Sequence, residues 1–169
     1  DMKMYSSVNY SGERSLCIQG SRGCPYSCGF CYNEPFSSAV WRPFSIDKIL
    51  KNVDILVNEY GAKTLYFVDD NIAVDPNRFL ELLKKIRQKP YKVNLAFQGI
   101  RIDAFEKFSD ETYTLLRESG VKSLDIGIET LNNRILKNVD KFLTRDQILK
   151  TLEKLEKQGW LGGLSAGIV

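Results

Sequence analysis

Apolar and polar positions along the chain change period in a regular order. Leu16, Cys17, Ile18 and Gln19 form a short apolar run that reads as a strand, and Gly20-Ser21-Arg22-Gly23 reads as the loop that leaves it. From Ser45, an N-cap, apolar residues recur at Ile46, Ile49, Leu50, Val53, Leu56 and Tyr60 before Gly61. That spacing predicts a helix with one buried face and a glycine stop. Thr64 to Val68 is apolar throughout and rich in β-branched and aromatic residues, which predicts a parallel strand covered on both faces.

The same alternation then repeats. Asp75 caps a helix opened by Pro76 and carried by Phe79, Leu80, Leu83 and Ile86, and a strand follows over Lys92 to Phe97. Ser109 begins the next helix, with Asp110 and Glu111 in its first turn and Gly120 at its end, ahead of a strand over Ser123 to Ile128. Thr144 and Gln147 form a capping box for a helix over Arg145 to Gln158, with a stripe of Ile148, Leu149, Leu152 and Leu155. A last strand is expected over Leu164 to Val169.

Strands that alternate with helices at this rhythm require right-handed crossovers, so the fold class is α/β with a parallel sheet, open or curled toward a barrel. Ligands then belong at the C-terminal ends of the strands. Those ends carry Asp69-Asp70-Asn71, Gln98 with Arg101, and Glu129.

Composition narrows the function classes. The 169 residues are enough for one compact domain, and no linker or low-complexity run divides them. No stretch of about 18 apolar residues is present, so no membrane span is expected. Asp1 to Tyr10 lacks the basic end and apolar run of a secretion signal, which points to the cytoplasm and a reducing compartment. Net charge is +3, with lysines and arginines scattered beside acidic residues. That is a solvated face and not a nucleic-acid footprint. The chain has no histidine, which removes mixed Cys/His zinc sites and every Ser-His-Asp or Cys-His arrangement.

Three of the four cysteines stand close together, as Cys24-Pro25-Tyr26-Ser27-Cys28-Gly29-Phe30-Cys31 on the loop after the first strand. One wrapped loop can aim three thiols at one centre, and thiolates are the ligands of iron-sulfur clusters. Three protein ligands leave one iron of a cubane open to a chelating small molecule. Structural zinc prefers four ligands; a disulfide framework conflicts with the reducing compartment; an electron carrier of the ferredoxin kind would need a fourth cysteine. Cys17, inside the first strand, is read as a small core hydrophobe.

The CxxxCxxC spacing, with an aromatic before its third cysteine, resembles the signature of the radical S-adenosylmethionine (SAM) superfamily. The string from Ser21 to Asn33, with Trp41-Arg42, Phe67 to Asn71 and Gly127 to Thr130, is similar to its cobalamin-linked members. The resemblance implies a [4Fe-4S] cluster on Cys24, Cys28 and Cys31, with SAM on its open iron, cleaved to a 5'-deoxyadenosyl radical. It implies an incomplete (β/α)6 partial TIM barrel, of which the chain supplies five strands.

For SAM, the resemblance implies contacts from Phe30, Asp69, Asp70, Asn71, Gln98, Arg101 and Glu129. Adjacent carboxylates at a strand end can accept from an ammonium, and Asp-Asp-Asn is equally ordinary turn chemistry. Arg101 can pair with a carboxylate or lie on the surface, and Phe30 can sit near adenine or pack under the loop. A cobalamin domain before Asp1 is expected, and an electron donor such as flavodoxin or ferredoxin. The expected subclass is methyltransferase-like, with methylthiotransferases and the coproporphyrinogen-oxidase type as alternatives, and a non-catalytic iron-sulfur or zinc module as the reading of another class. Leu164 to Val169 has no helix after it, so the core is expected to be cut at its C-terminal end and not competent for full turnover alone.

Overall fold

The computed structural model describes residues 7–8, 12–160 and 164–168. The stretch read for a secretion signal lies outside them except for Ser7 and Val8, as does Val169 at the end of the last expected strand. The strands are β1 (Ser7–Val8), β2 (Arg14–Ile18), β3 (Ser21–Arg22), β4 (Arg42–Pro43), β5 (Thr64–Phe67), β6 (Asn94–Arg101), β7 (Val121–Glu129) and β8 (Leu164–Ile168). The helices are α1 (Asn33–Ser37), α2 (Ile46–Asn58), α3 (Pro76–Arg87), α4 (Asp110–Glu118), α5 (Asn133–Asn138) and α6 (Arg145–Lys157), with a 3-10 turn over Ile102–Lys107.

The main sheet has the order β1-β2-β5-β6-β7-β8, and every neighbour from β2 to β8 is parallel. β1 lies antiparallel on the β2 edge, and β3 pairs with β4 in a separate antiparallel ribbon. Consecutive crossovers run through α2, α3, α4 and α6, which is the α/β partial-barrel architecture expected. Local chemistry sets the helix starts. Ser45 accepts from the Lys48 N–H, Asp75 from Asn77 and Arg78, and Ser109 from Thr112. The capping box of Thr144 and Gln147 is formed in both directions.

The helix-covered face of the sheet is apolar. Leu65 pairs with Leu95 and Phe67 with Phe97, and Phe97 pairs in turn with Leu124; all are fully buried. Phe97 stacks on Phe67 at 4.9 Å and meets Phe79 of α3 edge-on at 5.2 Å. Each such side chain contributes about 1.5–3 kcal/mol on burial.

The opposite face is more open than the apolar run of β5 implied. Tyr66 is only half-buried, and its hydroxyl donates to Asp125 at 2.6 Å. Cys17, paired in register with Tyr66, is exposed and not a core residue. Side chains alternate along a strand, so Leu16 and Ile18 take the buried face and Cys17 the other.

Candidate functional site

Beyond the C-terminal ends of β5, β6 and β7 lies a cavity of about 300 Å³, closed on one side by the cysteine loop. Cys24, Cys28, Cys31 and Phe30 of the loop line it, together with Asp69, Asp70, Gln98, Arg101 and Glu129. Asn71 alone among the residues expected at the site does not line it, and is buried behind the loop. A larger cavity of about 680 Å³ opens between β2 and α2, lined by Cys17, Phe44 and Lys48, but the convergent polar groups are in the smaller one.

Backbone geometry prepares the floor. β6 and β7 shift register between Phe97 and Ile100, and Gly99 in that irregularity has φ +69°. A Cβ there would stand 2.2 Å from the Asp69 carbonyl oxygen, so only glycine lets β6 cross this close to the end of β5. Gln98 and Arg101, expected just past the strand, are therefore strand residues of β6.

The loop is held by polar side chains. Asp69 accepts the Gly20 N–H at 3.1 and 2.9 Å and the Ser21 hydroxyl at 2.5 Å, and burial raises its carboxyl against the pull of those bonds. Asp70 accepts the Gly23 N–H at 2.9 Å and the Tyr32 hydroxyl at 2.7 Å. Asn33 is buried and bonds both backbone polar groups of Cys24, accepting from its N–H at 3.1 Å and donating to its carbonyl at 2.6 Å. Gly29 donates to the Val139 carbonyl at 2.9 Å, which joins the loop to the end of α5.

Two of the three sulfurs have a hydrogen-bond donor. Burial pushes the Cys24 thiol up, against the opposing pull of the nearby Tyr26 backbone and Asn71 side chain. The Arg101 guanidinium reaches the Cys28 sulfur at 3.3 Å, and the Asn33 N–H reaches the Cys31 sulfur at 3.4 Å. Arg101 is buried, not a surface arginine. Its other nitrogens donate to Asp103 at 3.0 Å and to the Lys141 carbonyl at 2.9 Å, and its plane lies 3.8 Å over the Tyr26 ring.

Glu129 ends β7 with φ +68°, a conformation that non-glycine residues adopt at a cost. Its carboxylate accepts from the buried Lys141 ammonium at 2.7 Å. Phe30 is half-exposed at the cavity, 5.7 Å from that ammonium. Lys141, Asn33, Tyr32 and Asp103 escaped the sequence reading. Asn33 and Tyr32 directly follow the last cysteine, a position that a search for loop anchors would include. Lys141 lies in Val139-Asp140-Lys141-Phe142 without any periodic signal.

These donors suit a thiolate cluster, whose sulfurs carry negative charge and take hydrogen bonds. Among the described residues, no three side chains of metal-ligating type converge on one point as a lone ion requires. A cubane gives each thiolate its own iron and does not ask for that convergence. Among the described residues, too, no helix is long and apolar enough to cross a membrane.

Comparison with known proteins bears on the chain as a whole. The profile of the Radical SAM superfamily matches residues 18–169. An uncharacterised methyltransferase of Pyrococcus horikoshii is 27% identical over 84% of this chain and 30% of its own length. The bacteriochlorophyllide d C-12(1)-methyltransferase of Chlorobaculum tepidum is 31% identical over 77% of this chain and 28% of its own. The cobalamin-dependent S-adenosylmethionine radical enzyme OxsB, solved with aqua-cobalamin and S-adenosylmethionine bound, superposes with a TM-score of 0.75 at 20% identity, covering 97% of this chain and 29% of that one. The chain thus spans about three tenths of the length of the proteins it matches.

Proposed function

Because the chain belongs to the radical SAM superfamily, whose members bind a four-iron four-sulfur cluster and SAM, we propose that Cys24, Cys28 and Cys31 are the cluster ligands and that the adjoining cavity receives SAM. The observation that carries this is three thiols lining one cavity, two of them with a hydrogen-bond donor at the sulfur. Cys24, Cys28 and Cys31 would hold the cluster, which would supply one-electron reduction of the SAM sulfonium in the adjoining cavity.

The chain's own groups bind and orient. Arg101 sets a buried cation against the Cys28 thiolate and offsets part of the charge that three thiolates bring together. Its three bonded nitrogens hold it to the loop, so the SAM carboxylate that the resemblance assigned to it would have to share this guanidinium. Glu129 and Gln98 offer acceptors on the opposite wall for the ribose hydroxyls or the amine, and Lys141 orients Glu129. Phe30 offers an apolar surface for adenine beside the loop.

The parent reaction we propose is a cobalamin-linked methyl transfer. The methyltransferase relatives and the cobalamin-bound structural neighbour support it. Reduced flavodoxin or ferredoxin is the proposed electron source.

Anaerobic reconstitution tests the core of the reading, with about four irons per chain expected. Serine at Cys24, Cys28 or Cys31 should each abolish stable iron binding. Stoichiometric zinc without iron uptake would overturn the assignment.

A further inference from the structure

We infer that Asp69 and Asp70 position the cysteine loop for its cluster, and that the acceptor for the SAM ammonium lies elsewhere in the cavity. This rests on the cluster reading above and reassigns two residues expected to touch SAM. The two consecutive side chains meet different points of one loop. Asp69 takes the entry, through Gly20 and Ser21. Asp70 takes both flanks of the ligand triplet, with one oxygen on the Gly23 N–H and the other on the Tyr32 hydroxyl. Asn71, the third residue expected to touch SAM, is buried and does not line the cavity.

The division of labour follows from direction. Side chains of an extended segment leave alternate faces, yet here both carboxylates reach the loop. β6 crosses this segment closely at Gly99, where a Cβ would lie 2.2 Å from the Asp69 carbonyl and 2.7 Å from that of Asp70. A loop ligand set is useful only if its thiols are held near their final positions. Clamping both flanks with one carboxylate removes much of the freedom that cluster assembly would otherwise have to quench. Both clamps are charge-assisted bonds, and both carboxylates spend an oxygen lone pair on each.

The alternative, an ammonium acceptor, makes the opposite demand on the conservative variant, which gives the test. In Asp70→Asn the amide oxygen still accepts from Gly23 and the amide nitrogen donates to the Tyr32 oxygen, but the negative charge is gone. Iron release to a chelator and SAM affinity by equilibrium dialysis are measured on the anaerobically reconstituted full chain. Asp70→Ala should release iron about tenfold faster than wild type, whereas Asp70→Asn stays within about threefold, with SAM affinity also within about threefold. Tyr32→Phe should fall between them; it removes one hydroxyl and decides the matter if Asp70→Ala fails to fold. Wild-type iron release in all three variants, with SAM affinity lost about tenfold in both Asp70 variants, would overturn the inference. Wild-type protein that takes up no iron would instead overturn the cluster reading, so the two failures are distinct.

Discussion

The helix-covered face of the sheet and the cysteine loop are built from opposite materials. The first contains Phe67, Phe79, Phe97, Phe105 and Tyr113, all fully buried. From Ser21 to Val40, by contrast, no large apolar side chain is buried; the buried residues are Ser21, Gly23 and Asn33. The loop keeps its shape through hydrogen bonds, each worth about 0.5–1.5 kcal/mol net. Of its exposed aromatics, Phe30 and Phe36 contribute little to that, whereas Tyr32 acts through its hydroxyl on Asp70. The contrast teaches that the sheet can be folded while the loop opens locally, as expected where ligands must enter.

Truncating the core should give the largest effect. Phe79→Ala removes a ring that meets Phe97 and Phe108, and should lower the unfolding free energy by about 3–5 kcal/mol, read from the denaturant midpoint. A loss under about 1 kcal/mol would mean that the site collapses around the gap. In the loop, Asn33→Ala strands both backbone polar groups of Cys24, at a local cost of about 1–3 kcal/mol. Faster amide hydrogen exchange at Cys24 is expected, with a smaller midpoint shift than for Phe79→Ala. Equal midpoint shifts would show that loop and core unfold as one unit.

Alkali should act on the core through Tyr113. Burial, and then the neighbouring Asp110, hold the Tyr113 phenol protonated beyond its ordinary value of 10.0, and its hydroxyl donates to the Phe105 carbonyl at 2.7 Å. With the folded value above the unfolded one, this contribution is complete below about pH 10 and is lost as pH rises toward the folded value. Stability should therefore fall above about pH 10 in wild type and less steeply in Tyr113→Phe. Parallel profiles in the two proteins would refute the role given to Tyr113. The smallest effect belongs to Cys17→Ser: an exposed thiol should change stability by no more than about 0.5 kcal/mol. A loss above about 1 kcal/mol would restore Cys17 to the core.

What the chain settled by itself is what acts over a few residues. The caps at Ser45, Asp75, Ser109 and Thr144 bond N–H groups within three positions and are formed as expected. The strand and helix rhythm, and the three cysteines within eight residues, were equally legible, because periodicity and spacing are properties of neighbours. The short helices α1 and α5 were not, since neither is long enough to show a period.

Tertiary structure decided which face each side chain took and which distant groups met. Cys17 is exposed because its two neighbours take the buried positions, and an apolar run does not say which parity is buried. Arg101 meets Cys28 across 73 residues and Lys141 across 40, and Asp70 meets Gly23 across 47. No local pattern encodes such a pairing. It arises only when parallel pairing of β5, β6 and β7 brings their C-terminal ends to one rim, under a loop that has no apolar core of its own to hold it.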